Sequence, residues 1–395
     1  MTFDPREARG KAAIVGAIDI ASPTGMLDKR GRALEIAMIK GALDDAGLKV
    51  SDIDGIFACM GMMPSMELAE YLGITPRYTD STMTGGSSFE IHVEHAMAAL
   101  TLGLCDVALI VYAQTPKSSK GDMGAMAGMM SMMGASPMAQ WDLPYGLGTP
   151  SASYSLAAQR HMSMYGTTSE QLAQIAVSTR EWATMNPNAR YQDKLTIEEV
   201  LASPLIAAPL HKLDCCLVTD GAGALILTRA DRAKDLRKDP VYVLGAGTAH
   251  THAMSISQMP DITTTSAAIS GPKAFSMAGI THDEVDVLMT YDSFTITTLL
   301  ALEDLGFCKK GEGGAFVEDG KLGPGGSLPT NTNGGGLSYT HPGMYGMFVL
   351  VEAVRQLRGE SGPRQINDAK LAVANGCGGV LSACSTVVLG TEETL

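Results

Sequence analysis

The sequence predicts an α/β protein made of two similar halves, the first interrupted by a large insertion. Three observations lead there. Short apolar runs alternate with segments of helical periodicity, the pattern of strands joined by crossover helices. That alternation breaks off near residue 114, returns near 214, and starts afresh at Pro240 after a charged stretch over 231–239. Finally, 395 residues exceed one ordinary hydrophobic core. The expected division is therefore 1–239 and 240–395, with the insertion at about 114–215.

Each element has its own signal. Residues 11–20, Lys-Ala-Ala-Ile-Val-Gly-Ala-Ile-Asp-Ile, read as a buried first strand. Leu34, Ala37, Met38 and Ala42 then mark one face of a helix over 31–47 that stops at Gly47. Residues 53–60 are the next strand. Ser87-Ser88-Phe89-Glu90 matches a capping box, with Ser87 at the cap and Glu90 three residues on. The helix it opens carries Phe89, Val93, Ala96, Met97 and Leu100 on one face and ends near Gly103. Residues 106–112 form a fully buried strand, and strands alternating with helices imply a mostly parallel sheet.

Inside the insertion, residues 122–140 hold Met123, Met126, Met129, Met130, Met132, Met133 and Met138 among small residues. Such a surface suits a bulky apolar ligand or a partner, or else a loop packed on its own core. Helices are expected at 151–165, 168–186 and 196–202, and a turn followed by a strand over 214–228. The second series begins with a strand at 240–247. It continues with a strand at 285–289 running into Tyr291, a helix over 294–305 and a glycine-rich hairpin-like segment at 309–327. Two closing strands, 371–375 and 383–389, flank the Gly378-Gly379 turn.

Composition removes several function classes. A net charge of −13 argues against nucleic acid and anionic membrane surfaces as partners. The seven cysteines are scattered, odd in number and free of any CxxC pair, as expected of reduced thiols in the cytoplasm. The start of the chain lacks the apolar core of a signal peptide, and no apolar run approaches a membrane span. His92 with His95, and His250 with His252, lack a third ligand at readable spacing, so no metal site is expected. Gly245-Ala246-Gly247 is a turn and not a dinucleotide fingerprint.

Chemistry concentrates in 331–348, where three glycines precede His341-Pro342-Gly343 and Tyr345. Met347, Leu350, Val351, Val354 and Leu357 then open an amphipathic helix. A titratable ring between a glycine loop and a helix start is a favoured place for catalysis, though it equally fits an ordinary turn before a buried helix.

Taken in order, Leu213-Asp214, Thr219-Asp220-Gly221-Ala222, Tyr291-Asp292-Ser293-Phe294, Asn333-Gly334-Gly335-Gly336, His341-Pro342 and Gly376-Cys377-Gly378-Gly379 resemble the thiolases. The match is closest to the lipid-transfer-protein (sterol-carrier-type) branch. The resemblance covers essentially the whole chain. It implies a thiolase fold, with two βαβαβ units packed as αβαβα layers and a loop-domain insertion in the first. It also implies a dimer acting on acyl-CoA thioesters, with coenzyme A as part of the substrate and no other cofactor.

Departures from the family pattern are as informative. The nucleophilic cysteine of thiolases falls on Gly86 here, and glycine cannot be acylated. Ser87, beside it, reads as a helix cap or a substitute nucleophile. Tyr291 replaces the Asn or His that thiolases use to hold the thioester oxygen, and Tyr345 replaces a small residue. Two phenols beside a thioester pocket without a nucleophile point to proton transfer, unless both are core aromatics. Retro-aldol cleavage of a 3-hydroxyacyl-CoA needs no nucleophile. A base takes the β-hydroxyl proton, the Cα–Cβ bond breaks, and the released enolate is stabilised by oxyanion donors.

The resemblance extends to homologues that act as aldolases on steroid or related side chains beside a small zinc-ribbon/OB-fold subunit, implying a heterotetramer. On this reading Tyr291 and Tyr345 divide the base and acid roles, and His341 helps bind the thioester oxygen. Tyr339 ranks below them. Gly86, Ser87, Cys377 and Gly378 surround the oxyanion, with Cys377 a buried small residue or a general acid. The rival readings are an acyltransferase using Cys377 or Ser87, and a non-catalytic acyl-CoA or lipid carrier.

Overall fold

In the computed structural model, residues 4–120 and 136–395 are described. Most of the methionine-rich stretch therefore lies outside the described residues. The first half contains strands β1 (Ala12–Ile20), β2 (Gly55–Phe57), β3 (Tyr78–Asp80), β4 (Val107–Gln114) and β7 (Gly221–Arg229). Its helices are α1 (Gly31–Ala46), α2 (Pro64–Leu72) and α3 (Ser88–Thr101). Between β4 and β7 lie α4 (Pro150–Tyr165), α5 (Ser169–Ala183), α6 (Ile197–Ala202) and the small hairpin β5 (Leu205–Ala207) with β6 (Leu210–His211). The second half has β8 (Val241–His250), α7 (Ala267–Ala278), β9 (Val287–Thr290), α8 (Thr295–Leu305), α9 (Gly346–Leu357), β10 (Leu371–Gly378) and β11 (Ala383–Gly390).

Strand order gives the architecture. The sheet runs β3-β2-β4-β7-β1-β8-β11-β10-β9. β1 and β8 meet only where Ala13 faces Tyr242 and Ile14 faces Val241. On either side of this seam the pairing pattern repeats. β1–β7 and β7–β4 are antiparallel while β4–β2 and β2–β3 are parallel. Likewise β8–β11 and β11–β10 are antiparallel and β10–β9 is parallel, with a parallel bridge from Leu288 to Thr330 in the place of β3. The expected mostly parallel sheet is thus corrected to a mixed one. The reasons are local: β4 reaches β7 through the long insertion and not a single crossover helix, and β10 turns tightly into β11.

Between the two sets of strands lies a helical layer. α3 and α9 pack on each other and on strands of both halves, while α1 covers β1 and β7, and α7 covers β8 and β11 outside. α9 is buried on every face, and its acidic residue Glu352 is neutralised by a two-bond pair with Arg364 at 2.8 and 2.9 Å. Two expectations about elements fail. The strand over 53–60 shrinks to Gly55–Phe57. Residues 309–327 form no hairpin: Gly313 and Gly314 open a helical turn pressed so close to Leu299 and Gln171 that a side chain would not fit. Among the described residues no helix is long and apolar enough to cross a membrane.

Candidate active site

Four chain segments converge at one end of the helical layer. The first is the turn Gly85–Ser87 ahead of α3, made possible by Gly85 at φ +77. The second is Tyr291, the residue directly after β9. The third runs from the glycine loop through His341 to Tyr345, the cap of α9. The fourth is the end of β10, with Cys377 and Gly378.

Tyr291 and Gly86 fit each other. A methyl group built on Gly86 would overlap the Tyr291 ring, standing 2.7 Å from its Cζ, and would also overlap the Cys377 carbonyl oxygen. The phenol therefore fills the volume that any side chain at 86 would need. Its hydroxyl lies 2.8 Å from His341 Nε2, with the Gly343 carbonyl oxygen farther off at 3.3 Å. Burial pushes the Tyr291 hydroxyl well above its ordinary value and pulls His341 down to about 4. The pair is thus a neutral phenol beside a neutral imidazole at physiological pH.

Tyr345 joins this group by its ring. Ring centres of Tyr291 and Tyr345 are 6.0 Å apart and edge-on, and those of His341 and Tyr345 are 6.3 Å apart. Its hydroxyl, however, goes elsewhere, donating to Asn333 Oδ1 at 2.8 Å, and the whole side chain is buried. Asn333 Oδ1 also accepts from the Gly335 amide at 2.9 Å, so the glycine loop holds Tyr345 in place. Asp292 accepts from the amides of Gly336 and Leu337, and burial raises its carboxyl to about 7. Gly334 and Gly335, at φ +100 and +62, give the loop the shape that lets it wrap this carboxyl.

Ser87 does not cap α3. Its hydroxyl pairs with Thr84 Oγ1 at 3.0 Å, and Glu90 makes no return bond, so the expected capping box is absent. Ser88 serves the turn instead, accepting from the Thr84 amide and donating to the Gly85 carbonyl. Cys377 is buried directly across from Cys384 in the β10–β11 pairing, and its thiol is pushed well above the ordinary value by Cys384 and by burial. Gly378 packs on Thr84 and Ser87 with no room for a side chain. Tyr339 points away, donating to Asp19. His92 satisfies the Thr82 carbonyl and His95 pairs with Asp80. Among the described residues no group of three or more His, Cys, Asp and Glu is arranged to hold a metal.

Two residues that position the site gave no catalytic signal in the sequence. Thr219 accepts from the His341 amide at 2.7 Å and returns a bond to the His341 carbonyl. Tyr112, on β4, donates to the Pro342 carbonyl at 2.6 Å and accepts from the Met344 amide at 3.0 Å. Beside Thr219 a cavity of about 330 Å³ opens, with Lys117, Arg190 and Lys212 among its walls. A second cleft, of about 470 Å³, lies away from these groups against α1 and is lined by residues already ion-paired, such as Asp45, Lys238 and Arg355.

Comparison with known proteins agrees with this geometry. A family model described as "Thiolase C-terminal domain-like" matches residues 247–391. A steroid side-chain-cleaving aldolase of Thermomonospora curvata is 33% identical over 394 residues, covering 97% of this chain and 99% of that one. An acetyl-CoA acetyltransferase of Methanothermobacter thermautotrophicus is 34% identical over 349 residues, covering 86% and 89%. A solved structure described as an Ltp2-ChsH2(DUF35) aldolase superposes with a TM-score of 0.86 at 31% identity, covering 98% of this chain and 99% of that one. With a duplicated fold, near full-length relatives, and a phenol where the nucleophile would stand, the chain belongs to the thiolase superfamily, in its lipid-transfer and aldolase branch.

Proposed function

We propose that this chain is an acyl-CoA retro-aldolase, a carbon–carbon lyase of thiolase fold. It would split a bulky 3-hydroxyacyl-CoA into a ketone or aldehyde and a shorter acyl-CoA without a covalent intermediate. The observation that carries the reading is the Tyr291 ring standing where a side chain at Gly86 would be, with its hydroxyl on a half-buried neutral His341. An acyl transfer needs a nucleophile there, and none fits. Cys377 is a protonated thiol facing Cys384, and Ser87 pairs with a threonine and not a base, so neither favours the acyltransferase alternative.

In this mechanism Tyr291 receives the β-hydroxyl proton of the substrate as it passes its own to His341 Nε2. A phenol held well above its ordinary value is a poor base alone, and the relay avoids a buried phenolate. The Cα–Cβ bond then breaks, the carbonyl product forms, and the electron pair moves into the thioester enolate. The proton held on His341 then returns through the Tyr291 hydroxyl to the enolate carbon. The acid role expected of Tyr345 thus falls to Tyr291, while Tyr345, its own hydroxyl engaged by Asn333, packs its ring against the pair. One proton leaves oxygen and one reaches carbon, so no cofactor beyond the coenzyme A of the substrate is required. His341 shifts in this account from oxyanion ligand to proton acceptor, because its Nε2 faces Tyr291. Gly86, Ser87 and Gly378 line the thioester side. The cavity with Lys117, Arg190 and Lys212 suits the phosphates of coenzyme A.

The steroid-cleaving relative makes a fused-ring acyl chain the first substrate class to test. A homodimer joined to a small zinc-ribbon/OB-fold subunit, as a heterotetramer, belongs to the same reading, as does a cytoplasmic setting with free thiols. The test is incubation with a fused-ring 3-hydroxyacyl-CoA, with and without that subunit, while following release of the carbonyl compound. Acyl groups trapped on Ser87 or Cys377 would turn the assignment to acyl transfer, and binding with no turnover in either condition would turn it to a carrier.

A further inference from the structure

Glu90 lies one turn along α3 from Gly86, wholly enclosed, and neither carboxyl oxygen has a hydrogen-bond partner among the described residues. A buried polar group left alone is costly, so its position calls for a reason. Backbone encloses it. A methyl group at Gly346 would stand 2.7 Å from Glu90 Oε1, and one at Gly376 would stand 2.5 Å from Glu90 Cδ. Neither glycine has a positive φ, so backbone conformation does not demand glycine at either place. The carboxyl does, together with the Gly86 carbonyl oxygen, which also crowds the Gly346 site. The result is a notch between Gly86, beneath the Tyr291 ring, and Gly346, the residue after Tyr345.

We propose that Glu90 is a positioning residue for the cleavage assigned above: its carboxyl wedges α3 against the start of α9 and sets the spacing between Gly86 and Tyr345. It touches no reacting atom. The wedge is a property of the fold, and its effect on turnover rests on the aldolase reading. The titratable groups facing it are Cys384 from β11 and Cys377 from β10, and α9 presents the backbone of Gly346. Burial, with a smaller push from Cys384, raises Glu90 to about 8. The acid form can donate to a carbonyl of the notch. The carboxylate can only accept, and it repels the Gly86 carbonyl oxygen, forcing the two helices apart.

Two variants separate wedge from charge. Glu90→Gln keeps the volume and a donor but cannot ionise, and Glu90→Ala removes the wedge. Wild-type turnover of the fused-ring 3-hydroxyacyl-CoA should fall as pH rises through about 8. Glu90→Gln should keep neutral-pH turnover within about twofold and lose that fall, while Glu90→Ala should lower kcat by roughly tenfold or more with KM little changed. An alkaline fall unchanged in Glu90→Gln, or full turnover in Glu90→Ala, overturns the proposal. Hydrogen-exchange protection at the start of α9, read without substrate, decides independently. Protection lost in Glu90→Ala and in alkaline wild type, but kept in Glu90→Gln, supports the wedge, and equal protection in all three overturns it. If none of the three proteins cleaves the Cα–Cβ bond of the substrate, the aldolase reading fails and the protection data still judge Glu90.

Discussion

Gly86 and Tyr291 share one volume, and each substitution there has a defined outcome. Gly86→Ala should displace the Tyr291 ring, costing about 1–3 kcal/mol of stability by overpacking. Cleavage should fall by roughly 100-fold, because the relay moves by the better part of an ångström. A urea melt and steady-state kinetics on one preparation check both. Tyr291→Phe keeps the ring and so the packing, but removes the relay; kcat should fall by about 10²–10⁴-fold with an unchanged melt. Unchanged cleavage would end the assignment of Tyr291. The sequence showed these residues as departures from a family pattern, so Gly86, Tyr291, His341 and Tyr345 were all legible. Their hydrogen bonds were not. Tyr291 reaches His341 across 50 residues and Tyr345 reaches Asn333 across 12, and side-chain direction has no periodic signature. Ser87 shows the converse. Its spacing to Glu90 fits a capping box, yet tertiary contacts with Gly376 and Gly346 draw the glutamate elsewhere.

At the scale of elements, the 340–345 loop is held from outside by β4 and by the strand-like approach to β7. Tyr112 brackets Pro342 and Met344, which flank the Gly343 carbonyl that Tyr291 also touches. Tyr112→Phe strands two buried backbone groups and should cost about 1–3 kcal/mol, with kcat falling more than KM rises. Equal loss in both parameters would point to general unfolding. In sequence Tyr112 is one more apolar residue of a buried strand, and nothing distinguishes its clamp from core packing. Helices α1, α3, α5 and α9 were readable because long amphipathic runs carry redundant signal. The three-residue strand β2 and the helical turn at Gly313 were not, since a few residues beside glycine adopt whatever their neighbours permit.

Taken whole, the two halves are tied together by the short β1–β8 seam, by the packing of α3 and α9, and by polar side chains crossing between them. Asp19 on β1 pairs with Arg355 on α9 at 2.5 Å and accepts from Tyr339. Asp19→Ala should therefore cost about 3–5 kcal/mol, the penalty of stranding a largely buried cation. A denaturant titration losing less than about 1 kcal/mol would refute this. Acid should act on the whole molecule too. Burial holds His92 and His341 near 4, below the ordinary histidine value of 6.5. The unfolded chain thus binds the extra protons between those values, and stability falls as pH drops through that window, by roughly 3 kcal/mol for each ring. Replacing His92 with Gln should flatten the acid side of a stability–pH curve. The repeated pattern of strands was foreseeable as two similar series, but the antiparallel return through the insertion was not, because sequence shows the length of a connection and not where it goes.

The shared volume at Gly86 also imposes a direction on mutational history. Starting from a cysteine at 86 and a smaller residue at 291, losing the cysteine first leaves a void, which a protein tolerates. Introducing the phenol first forces a ring into an occupied site. One order of steps is open and the other is closed. The same asymmetry guards the present state: cysteine cannot return to 86 while Tyr291 remains, so thiolysis cannot be recovered by a single reversion. Gly86→Cys alone should lose aldol cleavage and gain no acylation. Only with Tyr291→Asn beside it should a trapped acyl-cysteine be detectable by mass spectrometry, and its detection in the single variant would show the path to be reversible.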